Sequence, residues 1–242
     1  MSRQQPRAGS APAADPDAPA AVPARRGRGT SAGLELRQIV AAARSLPPER
    51  LTMQAVANLL GVDRKAIHNH VPDREALATL VALDAFAANS ADVRIPETAD
   101  WRSASGIYAH GLVDGVIAVG GLAQHLSQGS PLIAKTLENS EAVLARLIGA
   151  GFDYAEAQRF MAALTNICLA FARDVLAVSR DGDSTRAHSL QAALASQDDS
   201  KFPHLSHIAQ RPENTYDRKQ LEFSLDLFLA GAATFAAAPD AR

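Results

Sequence analysis

The sequence has little of what disulfide bonds, membranes and secretion require. Its 242 residues include one cysteine, Cys168, so no disulfide can form within the chain, which fits a reducing cytoplasm. No uninterrupted apolar run approaches the roughly 18 residues of a membrane span. The N-terminus also lacks the apolar stretch of a signal peptide. We therefore expect a cytoplasmic protein that does not span a membrane.

Catalytic and metal-binding motifs are missing as well. The sequence contains no nucleophile motif, no Gly-rich phosphate loop and no HExxH. His68 and His70 are two residues apart, which directs them to different sides of a helix, so they cannot share a metal ion. His204 and His207 are three residues apart, but Pro203 and the lack of nearby acidic partners disfavour a metal site. We expect no enzyme activity, no cofactor and no bound metal.

The sequence also lacks the patterns of β-strands. No alternation of apolar and polar residues between hairpin turns occurs, whereas the long segments repeat with the period of a helix. The sequence therefore predicts an all-α fold, with Gly and Pro residues at the breaks. Outside residues 51–71, the expected helices are 31–46, 73–90, 100–119, 122–128, 131–149, 153–180, 184–196 and 217–237.

What the chain does have is an uneven distribution of charge. The formal net charge is only −2. Residues 25–75 nevertheless hold nine Lys and Arg against five Asp and Glu, whereas residues 76–242 hold thirteen against nineteen. A positive N-terminal part on a negative body is typical of a protein that presents one end to a polyanion such as DNA.

Residues 51–77 carry the pattern of a helix-turn-helix. Thr52 and Asp63 are good N-caps for two short helices, and Gly61 stands between them, where a helix commonly ends in the left-handed conformation. The second helix can direct Ile67 and Val71 inward. Its polar residues share the opposite face by their spacing, as in a helix that enters a DNA groove. These residues are Arg64, Lys65, His68 and Asn69.

The same stretch, LTMQAVANLLGVDRKAIHNHVPDREAL, resembles the DNA-binding domain of the tetracycline-repressor (TetR) family. The family pattern is close to LT-x-x-x-[VL]-A-x-x-LGV-x-x-x-x-[LI]-Y-x-H-[FV]-x-x-[KR]-x-x-L, and His68 stands where the family usually has Tyr. The resemblance implies a three-helix DNA-binding domain at 31–78. It also implies a C-terminal helical domain at 79–242 that binds a small-molecule effector and forms a homodimer.

The resemblance also indicates which residues contact an operator. Phosphate contacts set the register of such a domain, and contacts to base edges give its specificity. We expect phosphate contacts from Thr52, His70 and Arg74. The candidates that face the groove are Gln54, Arg64, Lys65, His68 and Asn69.

Residues 1–30 are rich in Pro, Ala and Gly and have no periodicity, which predicts a disordered tail. The tail ends in the basic cluster Arg25, Arg26 and Arg28. Such a cluster can lie in the minor groove as an arm, as in several DNA-binding folds. It can equally be a charge run in solvent. The sequence favours neither interpretation.

Two of the predicted helices are apolar on more surface than one core requires. In 153–180, the apolar stripe contains Phe160, Leu164, Ile167, Cys168, Phe171, Val175 and Val178. In 217–237, Leu221 and Leu225 lie on one face, whereas Phe223, Leu227 and Phe235 cover another. One face can serve the monomer core and the other needs a partner. The segment QLEFSLDLFLAG also resembles the last helix of TetR-family proteins, which pairs across a two-fold axis.

Six residues in the body are candidates for an effector pocket. They are His110, His125, Phe152, Phe160, Met161 and Asn166. For the polar members, a core residue with a hydrogen-bond partner is the commoner situation. For the aromatic members, core packing is commoner than a pocket wall. Cys168 is interpreted as a core residue, since nothing cationic lies near it in sequence.

We interpret the chain as a ligand-responsive transcriptional regulator, a repressor that a small molecule releases from a palindromic operator. One alternative is a DNA-binding regulator of the same fold whose C-terminal domain only dimerises or binds a protein partner. A structure without an enclosed cavity in the body would favour this alternative. The other alternative is an all-α enzyme or carrier with a similar turn. DNA binding that weakens steeply with salt excludes it.

Overall fold

The computed structural model describes residues 33–126, 130–181, 186–198 and 201–236. Within these ranges the chain forms ten α-helices and two 3₁₀ helices, at Pro48–Arg50 and Gly120–His125, and no β-strand. The all-α prediction is confirmed. The helices are α1 (Leu36–Arg44), α2 (Met53–Leu60), α3 (Arg64–His68), α4 (Arg74–Ser90), α5 (Trp101–Val119), α6 (Ser130–Gly149), α7 (Tyr154–Asp181), α8 (Arg186–Leu194), α9 (Pro203–Gln210) and α10 (Arg218–Ala236).

The first three helices form a small bundle with its own buried centre. From α1, the side chains of Ile39, Val40 and Ala43 are buried, as their spacing predicts. Leu36 lies on the same stripe by its spacing, but 40% of it is exposed. The reason is that α1 begins at this residue, which places Leu36 at the edge of the core.

The long helix α4 connects this bundle to the rest of the chain. It packs against α1 on one side and against α5 and α6 on the other. Leu77, Ala78 and Val81 are buried within it. The domain boundary expected at residue 78 falls inside this helix, and the division at that point stays a prediction. Any movement of α4 therefore involves both halves of the molecule.

At its C-terminal end, α4 approaches α5 closely because α5 carries two glycines there. A Cβ atom on Gly115 would lie 2.7 Å from Phe86 Cε2 and 2.7 Å from Ser90 Oγ. One on Gly111 would lie 2.7 Å from Val93. No larger side chain fits at either position without moving α4 or the segment after it. The two glycines thus fix where the end of α4 lies.

One helix was not predicted from the sequence, and one segment was assigned incorrectly. α9 begins at Pro203. Proline is tolerated in the first turn of a helix, because a backbone N–H there would have no partner within the helix. The segment expected as helix 122–128 is instead the 3₁₀ helix Gly120–His125, which follows Gly120 at φ +61°. The helix expected at 153–180 is confirmed as α7, in which Leu164, Cys168 and Ala172 are fully buried, whereas Phe171 and Val175 of the apolar stripe are half-exposed.

On α10, the two apolar faces that the sequence predicts are both present. Leu221, Leu225 and Ala232 are buried in the monomer. On the other side, Phe223 is 60% exposed, Leu227 62% and Phe235 46%. The second face therefore has no complete cover within the described part of the chain.

Two segments, Trp101–His125 and Tyr154–Arg180, are long and apolar enough by length and composition to cross a membrane. This qualifies the expectation from the sequence, which considered only uninterrupted apolar runs. Core helices of soluble proteins pass the same test, and half of the first segment's most apolar window is buried. Only 22% of the second window is buried, which agrees with the partly exposed stripe on α7.

Candidate functional site

The helix-turn-helix is built by three local signals. The Thr52 hydroxyl oxygen accepts a hydrogen bond from the N–H of Ala55 at 3.1 Å and caps α2. Gly61 ends that helix in the left-handed conformation at φ +66°. The Asp63 carboxylate accepts from the N–H of Lys65 at 2.8 Å and caps α3. These contacts set the angle between α2 and α3.

Buried apolar residues hold α3 in place. Ile67 and Val71 are fully buried, as are Val56 and Ala57 of α2. Because these residues occupy the inner side of α3, the opposite side has to face solvent. The fixed inner face therefore determines which side chains the protein presents outward.

All the residues expected to contact an operator are exposed within the described part of the chain. Some already have intramolecular partners. The Gln54 amide donates to Asn58 Oδ1 at 2.9 Å. His68 Nδ1 contacts the carbonyl oxygen of Pro72 at 3.0 Å, which fixes the direction of its ring. The exposed operator candidates are Thr52, Gln54, Arg64, Lys65, His68, Asn69, His70 and Arg74.

The basic tail residues Arg25, Arg26 and Arg28 lie outside the described residues, as does the tail 1–30 to which they belong. Their role stays a prediction.

Arg74 has a structural role that the sequence does not indicate. Its Nε donates to the carbonyl oxygen of Leu51 at 2.7 Å, and its Nη2 reaches the carbonyl oxygen of Pro48 at 3.5 Å. The side chain thereby ties the start of α4 to the segment that precedes α2. An expected phosphate contact is thus also a link between two elements of the DNA-binding bundle.

We predict that Arg74→Ala lowers the free energy of unfolding by about 1–3 kcal/mol, because a charged donor is lost from a half-buried carbonyl group. Urea denaturation followed by circular dichroism measures this. Arg50→Ala, at an exposed arginine close to the same segment, is the control and should change stability little. A stability equal to that of the unsubstituted protein would show that the contact is only incidental.

The two histidines considered for the pocket both bridge helices. The His125 ring is almost fully buried, and its Nδ1 lies 2.8 Å from Glu75 Oε1 in the first turn of α4. His110 Nδ1 accepts from Arg218 Nη1 at 2.7 Å, and Arg218 also contacts Asp114 at 3.2 Å. Each histidine thus has a structural partner, and neither lines the cavity described next.

A pocket of about 430 Å³, called the cavity below, lies between α5, α6 and α7 and is open to solvent on the side of Gln158, Ala162 and Asn166, which are exposed. Of the six pocket candidates from the sequence, Met161 and Asn166 line it. The wall combines apolar side chains with hydroxyl and amide groups, as in sites that bind small organic molecules. Its residues are Tyr108, Leu112, Thr136, Ser140, Leu144, Gln158, Met161, Ala162, Thr165 and Asn166.

The other two candidates, Phe152 and Phe160, belong to an aromatic cluster. Their ring centroids lie 5.4 Å and 6.0 Å from that of Trp101 and 6.0 Å from each other, in edge-to-face arrangements. Both also border a groove of about 550 Å³ between α7 and α10. That groove adjoins the exposed side chains Leu227 and Phe235, so it belongs to the uncovered face of α10.

Burial raises the pKa of the Cys168 thiol to about 12. The side chain therefore stays a neutral thiol at physiological pH and packs as a core residue. Among the described residues, no three His, Cys, Asp or Glu side chains are placed to hold a metal ion.

Comparison with known proteins identifies the family. Residues 95–235, more than half of the chain, match the family model described as the tetracyclin repressor-like C-terminal domain. The chain belongs to the TetR family. The family prediction made from residues 51–77 is therefore confirmed by an independent part of the sequence. TetR-family proteins are transcriptional regulators with an N-terminal helix-turn-helix and a C-terminal ligand-binding domain.

Solved structures of TetR-family proteins share the fold. ActR from Streptomyces coelicolor in complex with actinorhodin is 23% identical, with a TM-score of 0.70, and the match covers 86% of this chain and 100% of ActR. A variant of TetR from Acinetobacter baumannii AYE in complex with minocycline is 19% identical, with a TM-score of 0.61, over 86% and 98% of the two chains. No curated protein matches the sequence.

Proposed function

We propose that this TetR-family protein is a cytoplasmic repressor that binds a palindromic operator as a homodimer and leaves it when a small molecule enters the body. The observation that carries the proposal is the exposed polar face of α3, which is held outward by a buried inner face. The cavity between α5, α6 and α7 supplies a place for the effector.

The roles of the exposed residues follow from their chemistry. Thr52 uses its hydroxyl oxygen as an acceptor within α2, so its O–H can still donate to a phosphate, and His70 lies beside α3 for the same purpose. Arg64 and Lys65 suit the acceptor atoms of guanine, whereas Gln54 and Asn69 suit adenine. In this proposal, phosphate contacts set the register and the groove contacts select the sequence.

Dimerisation is supported by the exposed apolar face of α10 and the groove beside it. Large aromatic and aliphatic side chains rarely form contiguous exposed patches on monomers. Pairing two copies about a two-fold axis would bury the face and set two reading helices about one DNA turn apart. The operator is then expected to be palindromic.

For the effector to release the protein from its operator, it has to bind more tightly to the conformation in which the two reading helices do not fit DNA. The helix that can carry this difference is α4, because it packs against both the DNA-binding bundle and the helices of the cavity. The ActR and Acinetobacter baumannii complexes contain small molecules, actinorhodin and minocycline, which supports a small-molecule effector here. The cavity is open to solvent, so the preference over the ligand-independent alternative rests on these complexes and not on the shape of the cavity.

The contact between His125 and Glu75 offers a test of this coupling through α4. We expect Glu75→Ala, His125→Phe and the double substitution to change operator affinity by a similar factor, about two- to tenfold, because each removes the same hydrogen bond. Fluorescence anisotropy with a labelled operator measures this. Glu97→Gln, at an exposed carboxylate outside α4, is the charge-matched control. Fully additive effects of the two single substitutions would mean that the contact transmits nothing.

The proposed function itself is tested by selecting binding sites from a random pool of duplex DNA with the purified protein. We expect a palindromic consensus sequence with two half-sites about one helical turn apart. Recovery of no enriched sequence would contradict the proposal.

A further inference from the structure

The chemical groups on the cavity wall limit which kind of molecule can be the effector. Among the described residues that line the cavity, none carries a formal charge at neutral pH. The polar groups are the hydroxyls of Tyr108, Thr136, Ser140 and Thr165 and the side-chain amides of Gln158 and Asn166. These groups form hydrogen bonds to neutral oxygen and nitrogen atoms.

A charged ligand would be poorly accommodated by such a wall. The cavity is open to solvent on one side, so a ligand loses only part of its hydration there, but even that partial loss costs an ion free energy unless an opposite charge or several strong hydrogen bonds compensate. No described lining residue provides the opposite charge for either an anion or a cation. The lining therefore discriminates in favour of uncharged molecules.

A second observation points to a particular contact. A small space of about 20 Å³ adjoins the cavity and shares Tyr108, Leu112 and Thr136 with it. Ser90, the last residue of α4, lines this space as well as a separate pocket that contains Arg94 and Glu138, and its Oγ is buried with no hydrogen-bond partner. A buried hydroxyl without a partner is uncommon, because losing its hydrogen bonds to water costs free energy.

The backbone around Ser90 explains why the hydroxyl lies there. The glycines on α5 allow the end of α4 to approach, and a Cβ atom on Gly115 would lie 2.7 Å from Ser90 Oγ. Gly111 lines the same small space. The space is large enough for one group the size of a water molecule. A single carbonyl or hydroxyl oxygen of a ligand would therefore fit beside Ser90.

We propose that the effector is an uncharged, largely apolar molecule that lies between α5, α6 and α7 and places one carbonyl or hydroxyl oxygen against Ser90 Oγ at the end of α4. This inference rests on the proposed function, since it specifies the ligand of that same cavity. It gives the ligand a direct contact with the helix that joins the cavity to the DNA-binding bundle.

Three naphthalene derivatives of one shape test the charge requirement. They are 2-naphthamide, which is neutral, 2-naphthoate, an anion, and 2-naphthylmethylammonium, a cation. Isothermal titration calorimetry with the full-length protein at pH 7 is expected to show that the amide binds at least about tenfold more tightly than either ion. Equal or tighter binding of an ion would overturn the inference. Failure of all three to bind at millimolar concentration would overturn it as well.

Two pairs of variants test the position. Ser90→Ala is expected to weaken amide binding by about three- to tenfold, because one hydrogen bond is lost. It removes a hydroxyl that has no partner, so the fold is retained. Ser179→Ala, at an exposed serine on α7, should leave the affinity unchanged. Unchanged binding in Ser90→Ala would overturn the assigned contact.

Ala162→Trp places a large side chain at the exposed edge of the cavity and is expected to weaken amide binding at least about tenfold by occupying the space. Ala145→Trp, at an exposed alanine on α6 that does not line the cavity, is the matched control. Equal binding to the two tryptophan variants would place the amide elsewhere and overturn the inference.

The operator assay separates this inference from the proposed function. If the amide binds in the expected order and also weakens operator binding, both are supported. If it binds in that order but operator affinity is unchanged, the ligand chemistry is supported and the ligand-responsive function is overturned. Normal operator binding together with a preference for an ion overturns the inference and leaves the DNA-binding function in place.

Discussion

The double substitution Arg64→Ala with Lys65→Ala is expected to weaken operator binding by about a hundredfold to ten-thousandfold. Each good contact from such a side chain to a base edge contributes about 1–3 kcal/mol of discrimination. Both residues are exposed on α3, and the substitutions leave the buried residues Ile67 and Val71 untouched. The loss should therefore come from the DNA contacts and not from unfolding of the helix-turn-helix.

Fluorescence anisotropy with the selected operator, at one fixed salt concentration, measures the effect. The control is Arg173→Ala with Arg180→Ala, which removes the same charge from two exposed arginines on α7. Circular dichroism of both variants checks the fold. A loss of less than threefold in the α3 variant, or an equal loss in the control, would show that α3 is not the reading helix.

Replacing both Phe223 and Leu227 with aspartate is expected to convert the proposed homodimer to a monomer and to raise the dissociation constant of the dimer at least about a thousandfold. Burying such a side chain contributes about 1.5–3 kcal/mol, and a two-fold axis makes each substitution act twice. Aspartate also introduces charges that would be buried without partners. Because both residues are well exposed in the monomer, its own core should be unaffected.

Sedimentation equilibrium at micromolar concentration measures the change. Leu137→Asp is the control, since Leu137 is 58% exposed but lies on α6, away from this face. The double variant should also lose most of its operator affinity, because a monomer reaches only one half-site. If the unsubstituted protein sediments as a monomer, or the variant as a dimer, the assignment of this face is wrong.

The helix-turn-helix could be predicted from sequence because its signals are local. Thr52 and Asp63 each cap a helix that starts at the next residue, and Gly61 takes the left-handed conformation between them. The buried and exposed sides of α3 follow from spacing alone. Each of these features depends on only a few neighbouring residues, so one sequence contains enough information to find them.

The pocket could not be predicted in the same way, because its wall depends on how distant helices pack. His125 pairs with Glu75, 50 residues away, and His110 pairs with Arg218, 108 residues away. Neither pairing has a sequence signal. The proposed ligand contact at Ser90 has no sequence signal for a similar reason. Its hydroxyl is placed by the close approach of Gly115, which lies on another helix.

Arg74 shows that a motif and a structure can assign one residue two roles. The family pattern places a basic residue at this position, and the structure shows its guanidinium bound to backbone carbonyl groups in the segment before α2. The stability measurement on Arg74→Ala, together with operator binding by the same variant, separates the structural role from a phosphate contact.

The salt dependence of operator binding tests the central claim most directly. The claim is that two copies of the chain bind duplex DNA together, each through its helix α3. The logarithm of the association constant should fall linearly with the logarithm of salt concentration, by about 0.9 for each phosphate neutralised. We predict that the slope becomes less steep in Arg74→Ala, which removes the charged side chain expected at a phosphate, and changes less in the variant lacking Arg64 and Lys65, which are assigned to base edges. An association constant that does not change with salt, or an unchanged slope in Arg74→Ala, would contradict the account.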